Sequence, residues 1–153
     1  MNNKEHSKEF PDCFHRVAIK GLCVKDGKIL LVRESAGRSG KWEMPGGGLD
    51  FGEDIQESLK REISEEMGLK INKMSKSPVY VWTHKFLNKR NLKWYYSFVV
   101  AYQVEFEDLN FTPTDECEEI KFFSKEELKS TNLCDQTSEL IDIFNPEDFD
   151  SNF

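Results

Sequence analysis

The spacing of apolar and polar positions changes along the chain, and each change marks an element. From Val17 to Val24 both alternating sets are largely apolar: Val17, Ile19, Gly21 and Cys23 on one, Ala18, Lys20, Leu22 and Val24 on the other. KDG at 25–27 supplies a tight turn before the apolar run Ile29 to Val32, so this segment predicts a β-hairpin. SAGRSGK at 35–41 is turn-rich, and a short extended piece around Trp42, Glu43 and Met44 stops at Pro45. Beyond Glu53 and Asp54 the period lengthens. Ile55, Leu59, Ile63 and Met67 recur at helical spacing, and Gly68 stands where a left-handed C-cap ends a helix.

Every even position from Trp94 to Phe106 is apolar, which predicts a long strand with that face half-buried. Its other face carries Tyr95, Ser97, Val99, Ala101 and Gln103, a smaller and more mixed set suited to helix cover or to a cavity wall. Segment 75–87 reads as its antiparallel partner across the turn NKRN at 88–91. Cys117 to Phe123 predicts a short strand, and Ser124 followed by KEEL starts a short helix with Glu127 at the capping-box position. Asp135 to Phe144 suggests a last helix. With no repeat or linker, residues 1–153 are expected to form one domain with flexible ends at 1–12 and 147–153.

Composition narrows the functional classes. The formal net charge of −7 argues against a broad nucleic-acid-binding face, since phosphate neutralisation needs clustered Lys and Arg. Lys85, Lys89, Arg90 and Lys93 around the NKRN turn are the local exception, a solvated hairpin tip or a contact for a polyanion. The polar start MNNKEHSKEF lacks the apolar centre of a signal peptide, and no run of about 18 apolar residues is present, so a cytoplasmic protein without a membrane partner is expected. Cys13, Cys23, Cys117 and Cys134 form no CxxC pair and are treated as small hydrophobes.

The candidate chemistry lies in PGGGLDFGEDIQESLKREISEEMGL, Pro45 to Leu69. Pro45 with Gly46, Gly47, Gly48 and Gly52 makes a loop whose backbone can approach a ligand closely. On the helical wheel Glu62 falls about 80° from the centre of the apolar stripe, Glu65 about 140° and Glu66 about 40°. Glu66 is thus on the wrong side for a solvated charge. A half-buried carboxylate is costly unless a cation or several donors compensate it, and clustered carboxylates repel one another. An all-oxygen set suits a hard divalent cation such as Mg²⁺. The competing reading is a surface helix laced by Arg61 pairs with Glu57 and Glu65, which leaves Glu66 unexplained.

Gly47, five residues, Glu53, seven residues, then Arg61 to Leu69 matches the Nudix box, GX5EX7REUXEEXGU, at every specified position. Gly40, Trp42, Pro45 and Gly46 are similar to the family's lead-in, and EEIKFFSKEEL at 118–128 to its C-terminal strand and short helix. The chain therefore resembles the Nudix hydrolases over most of its length. The resemblance implies an α/β (α+β) fold, an α/β/α sandwich with a mixed sheet between helices. It also implies metal-dependent hydrolysis of a nucleoside diphosphate linked to another group, of the NTP, nucleotide-sugar or ADP-ribose type. Glu62, Glu65 and Glu66 become metal ligands, Glu53 a further ligand or a partner of one, and Arg61 an orienting cation. Mg²⁺ is the implied cofactor, with Mn²⁺ as substitute.

The general base stays open between a box glutamate and Glu116, Glu118 or Glu119. Gly46 and Gly47 are candidates for lining the substrate. Arg33, Arg38 or Lys41 are candidates for a distal phosphate, and Phe14, Trp82, Phe86 or Tyr95 for a stacked base. The tyrosine of dinucleoside polyphosphate hydrolases and the proline of ADP-ribose hydrolases are absent at their expected distances from the box. An isoprenyl-diphosphate isomerase using Cys23 or Cys117, and a non-catalytic nucleotide-binding module, are the other classes. A homodimer is compatible with the sequence.

Overall fold

The computed structural model describes residues 13–153, with side chains placed from His15 onward. The expectation for residues 1–12 and the ring of Phe14 lie outside what it describes. The apolar run at 17–24 serves two sheets instead of one strand. β1 (Cys13–Leu22) ends before Cys23, and β2 (Val24–Lys25) turns through Asp26 and Gly27, at φ 50° and 74°, into β3 (Lys28–Glu34). Two successive positive φ values give the tight turn whose twist matches paired strands, so the predicted hairpin forms with a shorter first arm. The strand breaks at Cys23, where pairing passes from β8 to β3.

The first sheet holds β1, β5 (Gly46–Gly48), β6 (Ile71–Met74), β7 (Tyr80–Asn88) and β8 (Lys93–Phe106). β1 runs parallel to β8, with Val17 opposite Phe98, and antiparallel to β5, with Ile19 opposite Gly47. The second sheet holds β2, β3, β4 (Trp42–Glu43) and β9 (Cys117–Phe123), with β3 between β4 and β9. Three helices, α1 (Ile55–Met67), α2 (Lys125–Lys129) and α3 (Leu140–Ile143), complete a mixed α+β fold. The antiparallel partner of β8 expected at 75–87 forms as β7 but starts only at Tyr80, and a separate short strand, β6, precedes it. Pro78, which cannot donate to a ladder, lies between them.

Both sheets contribute to both cores. Ile19, Tyr102 and Val104 of one sheet and Leu30 and Val32 of the other pack under Leu59, Ile63 and Met67 of α1. On the opposite face Ala18, Val99, Ala101, Ile29 and Leu31 pack with Leu128, Leu140 and Phe144. β3 is therefore apolar at four successive positions because both of its faces are covered. α2 carries the predicted capping box from Ser124 to Glu127. The last helix is shorter than expected, a 3-10 turn at Thr137–Glu139 leading into α3.

β8 departs from the single buried face that its even positions predicted. Tyr102, Val104 and Phe106 are buried beneath α1, but Trp94, Tyr96 and Phe98 are 45%, 36% and 46% exposed. α1 covers only the C-terminal half of the strand, and the odd face, Ser97, Val99 and Ala101, is the buried one beyond it. The C-terminal residues, expected to fray, make specific contacts. The Tyr80 hydroxyl donates to Asp148 Oδ2 at 2.6 Å, Phe149 packs edge-on against Tyr80, and the Gln103 amide pairs with the backbone of Asp150. Among the described residues no helix is long and apolar enough to cross a membrane.

Candidate active site

α1 begins because Asp54 Oδ1 accepts from the backbone N–H groups of Gln56 (2.9 Å) and Glu57 (3.2 Å). It ends where Gly68 adopts φ 64° and its N–H donates to Ser64 O. Leu59, Ile63 and Met67 are fully buried, which fixes the rotation of the helix on the sheet. That rotation brings Glu62 against β5. A Cβ on Gly47 would lie 2.5 Å from the Glu62 carboxyl carbon, and one on Gly46 (φ 120°) would collide with Ile19 O. Glycine at 47 permits this close approach of backbone to carboxylate, and glycine at 46 the close approach of β5 to the backbone of β1.

Arg61 is the hub of the helix's outer side. Its Nε and Nη2 donate to the two oxygens of Glu53 at 2.9 and 3.1 Å, and its Nη1 donates to Glu62 Oε1 at 3.0 Å and to Glu65 Oε2 at 3.3 Å. Asp50 Oδ2 lies 3.8 Å from Nη2. The fork geometry of a guanidinium suits this two-oxygen grip on Glu53. The hydrogen bond from Arg61 holds the Glu53 carboxyl below its ordinary range, helped by the N–H of Asp50. Glu62 is 19% exposed and Glu65 62%, so the set runs from half-buried to open.

Glu66 points the other way, as its wheel position implied. Its Oε2 is buried without a hydrogen-bond partner. Burial, foremost, and the nearby Glu43, Glu62 and Glu116 push its carboxyl up to about 8, against the opposing pull of Lys20. Lys20 and Glu43 border this site and were passed over by the sequence reasoning. Lys20 is 5% exposed in the middle of β1 and donates from Nζ to Met44 O (3.2 Å) and Gly46 O (3.0 Å), tying β1 to the glycine strand. A lysine inside a strand apolar on both faces was the available signal. Glu43 is pushed above its ordinary range by burial, with Glu34 adding to the effect. Glu34, Glu43 and Cys134 also bring ligand atoms within 4.8 Å of one another.

The loop before β9 is tied to α1 by Thr114, whose Oγ1 donates to Glu66 O at 3.0 Å and accepts from Glu116 N and Cys117 N. Glu116, just before β9, contributes to the raised Glu66 carboxyl. Glu118 accepts from Ala36 N, and Glu118 and Glu119 flank Arg33 Nη2 at 3.5 and 3.0 Å. Arg38 pairs with Glu116 at 2.9 Å. Arg33 and Arg38 thus clasp residues 116–119, where the loop runs into β9. Tyr95 stacks on Phe86 at 5.3 Å and accepts from Asn91 Nδ2, out on the β7–β8 hairpin. Trp82 packs against the core that holds Leu140 and Phe144.

The residues of α1 fit a hard divalent cation. Carboxylate oxygens are its preferred donors, and a buried, unpartnered Glu66 oxygen within electrostatic reach of Glu62 is the arrangement a cation would stabilise.

The sequence profile of the NUDIX domain matches residues 14–143. Over 54 residues the chain is 44% identical to an ADP-ribose pyrophosphatase of Methanocaldococcus jannaschii, a stretch covering 35% of this chain and 32% of that protein. Over 56 residues it is 41% identical to the nucleoside triphosphatase NudI of Escherichia coli, covering 35% and 40% respectively. The match thus spans well under half the length of these curated relatives. The MutT protein of Methanosarcina mazei superposes with a TM-score of 0.73 at 18% identity, covering 92% of this chain and all of that one. A UDP-X diphosphatase superposes with a TM-score of 0.62 at 26% identity, covering 92% and 68%.

Proposed function

Since the chain belongs to the NUDIX family of hydrolases, we propose that it is a divalent-metal-dependent pyrophosphohydrolase. Its substrate class is a nucleoside diphosphate linked to another group, of the NTP, nucleotide-sugar or ADP-ribose type. The observation that carries this reading is Glu66, a carboxylate with one buried, unpartnered oxygen one helical turn beyond Glu62, whose own carboxylate meets Gly47. The names borne by similar proteins, an ADP-ribose pyrophosphatase, a nucleoside triphosphatase and a UDP-X diphosphatase, support the substrate class without choosing within it.

Glu62, Glu65 and Glu66, with Glu53 beside them, would hold Mg²⁺ or Mn²⁺. When bound, such a cation polarises a phosphoryl oxygen and acidifies water for attack on phosphorus. Arg61 holds Glu53 in its ionised form and orients both Glu53 and Glu62 through its three donor nitrogens. Gly46 lets the glycine strand lie close against β1 and Gly47 lets the Glu62 carboxylate close on that strand, and Lys20 fixes the strand by its bond to Gly46 O. Glu116 is the proton acceptor of this scheme, since it lies in electrostatic reach of Glu66 and is oriented by Arg38.

The isomerase alternative needs a reactive cysteine beside a glutamate. Cys117 is 2% exposed, and burial pushes its thiol up to about 12 and that of Cys23 to about 11, so neither supplies thiolate. Incubating the protein with Mg²⁺ and ATP, dGTP, ADP-ribose and UDP-glucose, with products separated by ion-exchange chromatography, tests the proposal. Release of a nucleoside monophosphate from at least one compound is expected. Intact substrates throughout would sink it.

A further inference from the structure

We propose that the bare half of the first sheet is a dimer interface, and that its occupant is a second copy of this chain related by a two-fold axis. Where α1 stops, the same sheet face continues with Val17 on β1, Val81 and Leu87 on β7, and Trp94, Tyr96 and Phe98 on β8. All six are between 36% and 53% exposed. The register sets Phe98 between Val17 and Thr83, and Trp94 beside Leu87, so these side chains form one continuous surface. They are held in place. Tyr96 donates to Thr83 Oγ1 at 3.1 Å and meets His15 edge-on, and Lys85 Nζ sits 4.5 Å above the Trp94 ring.

Area and charge both point to a second copy. Six such side chains at this exposure leave on the order of 500 Å² of apolar surface, the upper end of what a lone soluble chain leaves bare. With a polar rim the face approaches the roughly 800 Å² per partner of an ordinary stable interface. The two ends of the face carry opposite charge. At the hairpin end, residues 79–104 contain Lys85, Lys89, Arg90 and Lys93 and no acidic residue. At the other end lie the loop and first turn of α1, where residues 44–59 contain Asp50, Glu53, Asp54 and Glu57 and no Lys or Arg.

That acidic segment borders the face because Leu49 N donates to Val17 O, while Leu59 and Ile63 pack further along, near Gly46 and Gly21. Two sheets packed face to face stand about 10 Å apart, and a helix is about 10 Å across, so α1 occupies the layer that a partner sheet would enter. A two-fold axis running along the strands would set basic tip over basic tip. An axis crossing them sets each basic tip against the acidic α1 end of the other copy. Charge selects the second, an isologous contact that buries the aromatic row at its centre.

Sedimentation velocity on the full chain tests this. The wild type is expected to sediment at twice the 17.9 kDa chain mass at micromolar concentration. Phe98→Glu and, separately, Val81→Lys place a charge at an already exposed position, so each should stay folded by circular dichroism and become monomeric. Lys89→Glu with Arg90→Glu should weaken the dimer by about tenfold or more, and adding Glu57→Lys should restore much of that loss. Three results would overturn the proposal: a wild type monomeric up to about 100 µM, a dimer indifferent to both Phe98→Glu and Val81→Lys, or a monomer whose bare face binds a labelled single-stranded oligonucleotide instead.

Discussion

Replacing Glu66 by Gln should make the metal-free protein more stable at neutral pH while abolishing its activity. The Glu66 carboxyl is pushed from the ordinary 4.5 to about 8, first by burial and then by Glu43, Glu62 and Glu116. In the unfolded chain it ionises near 4.5, whereas in the folded chain it keeps its proton until about 8. Between those values the folded state binds the extra proton, so stability falls as pH rises, by about 1.4 kcal/mol per pH step. The cumulative loss is roughly 3 kcal/mol at pH 7 and approaches about 5 kcal/mol above pH 8, before relaxation and water entry reduce it. Glutamine of similar shape carries no charge and escapes this loss. Urea unfolding of chelator-treated wild type and Glu66→Gln at about pH 5, 7 and 8.5 should show a difference near zero at the acid end and a widening advantage for the variant above it. Adding Mg²⁺ should raise the wild-type midpoint and leave the variant's nearly unchanged. A variant no more stable than wild type at pH 8.5 would refute the reasoning, because the buried charge would then be compensated within the chain.

Other consequences follow from the same geometry. Glu62→Gln should lower turnover by at least about a hundredfold in a steady-state assay, with Glu57→Gln, at 77% exposed and beside Lys60, near wild type. Gly47→Ala should displace the Glu62 carboxylate 2.5 Å away and reduce kcat by about tenfold or more, with the thermal midpoint nearly unchanged because the obstacle is a flexible side-chain end. Gly46→Ala meets backbone at φ 120°, and chemical denaturation should show a loss of at least about 2 kcal/mol. Arg61→Lys keeps the charge but not the fork, and should cost about tenfold or more in kcat/KM while retaining the fold.

Much of the architecture could be read from local chemistry. The turn at Asp26-Gly27, the caps at Gly68 and Ser124, and the stripe Leu59–Ile63–Met67 each depend on neighbours a few residues away, and each forms as expected. The division of the β structure was not legible in the same way. Residues 17–24 are apolar on both alternating sets, and only the distant partners, β8 for one part and β3 for the other, decide where the strand breaks. The even face of β8 misled for a related reason. Its periodicity is continuous, but α1 is 13 residues long and cannot cover 14 residues of strand, since a helix advances less than half as far per residue. At the site, the box glutamates and Arg61 were visible from spacing. Lys20, Glu43 and Thr114 were not, because each reaches Glu66 or the glycine strand across more than twenty residues of sequence. Arg33 and Arg38 have the right charge for phosphate, yet the fold sets them against Glu116, Glu118 and Glu119.

The central claim is that the carboxylates of α1 act through a divalent cation on a diphosphate, and the most direct measurement is hydrolysis in ¹⁸O-labelled water with and without metal. With Mg²⁺ the account predicts cleavage of a nucleoside diphosphate derivative with label on one product only, no turnover in excess EDTA, and recovery when Mg²⁺ or Mn²⁺ is restored. Undiminished turnover in EDTA, or label divided evenly between the two products, would contradict a single cation-dependent geometry at Glu62, Glu65 and Glu66.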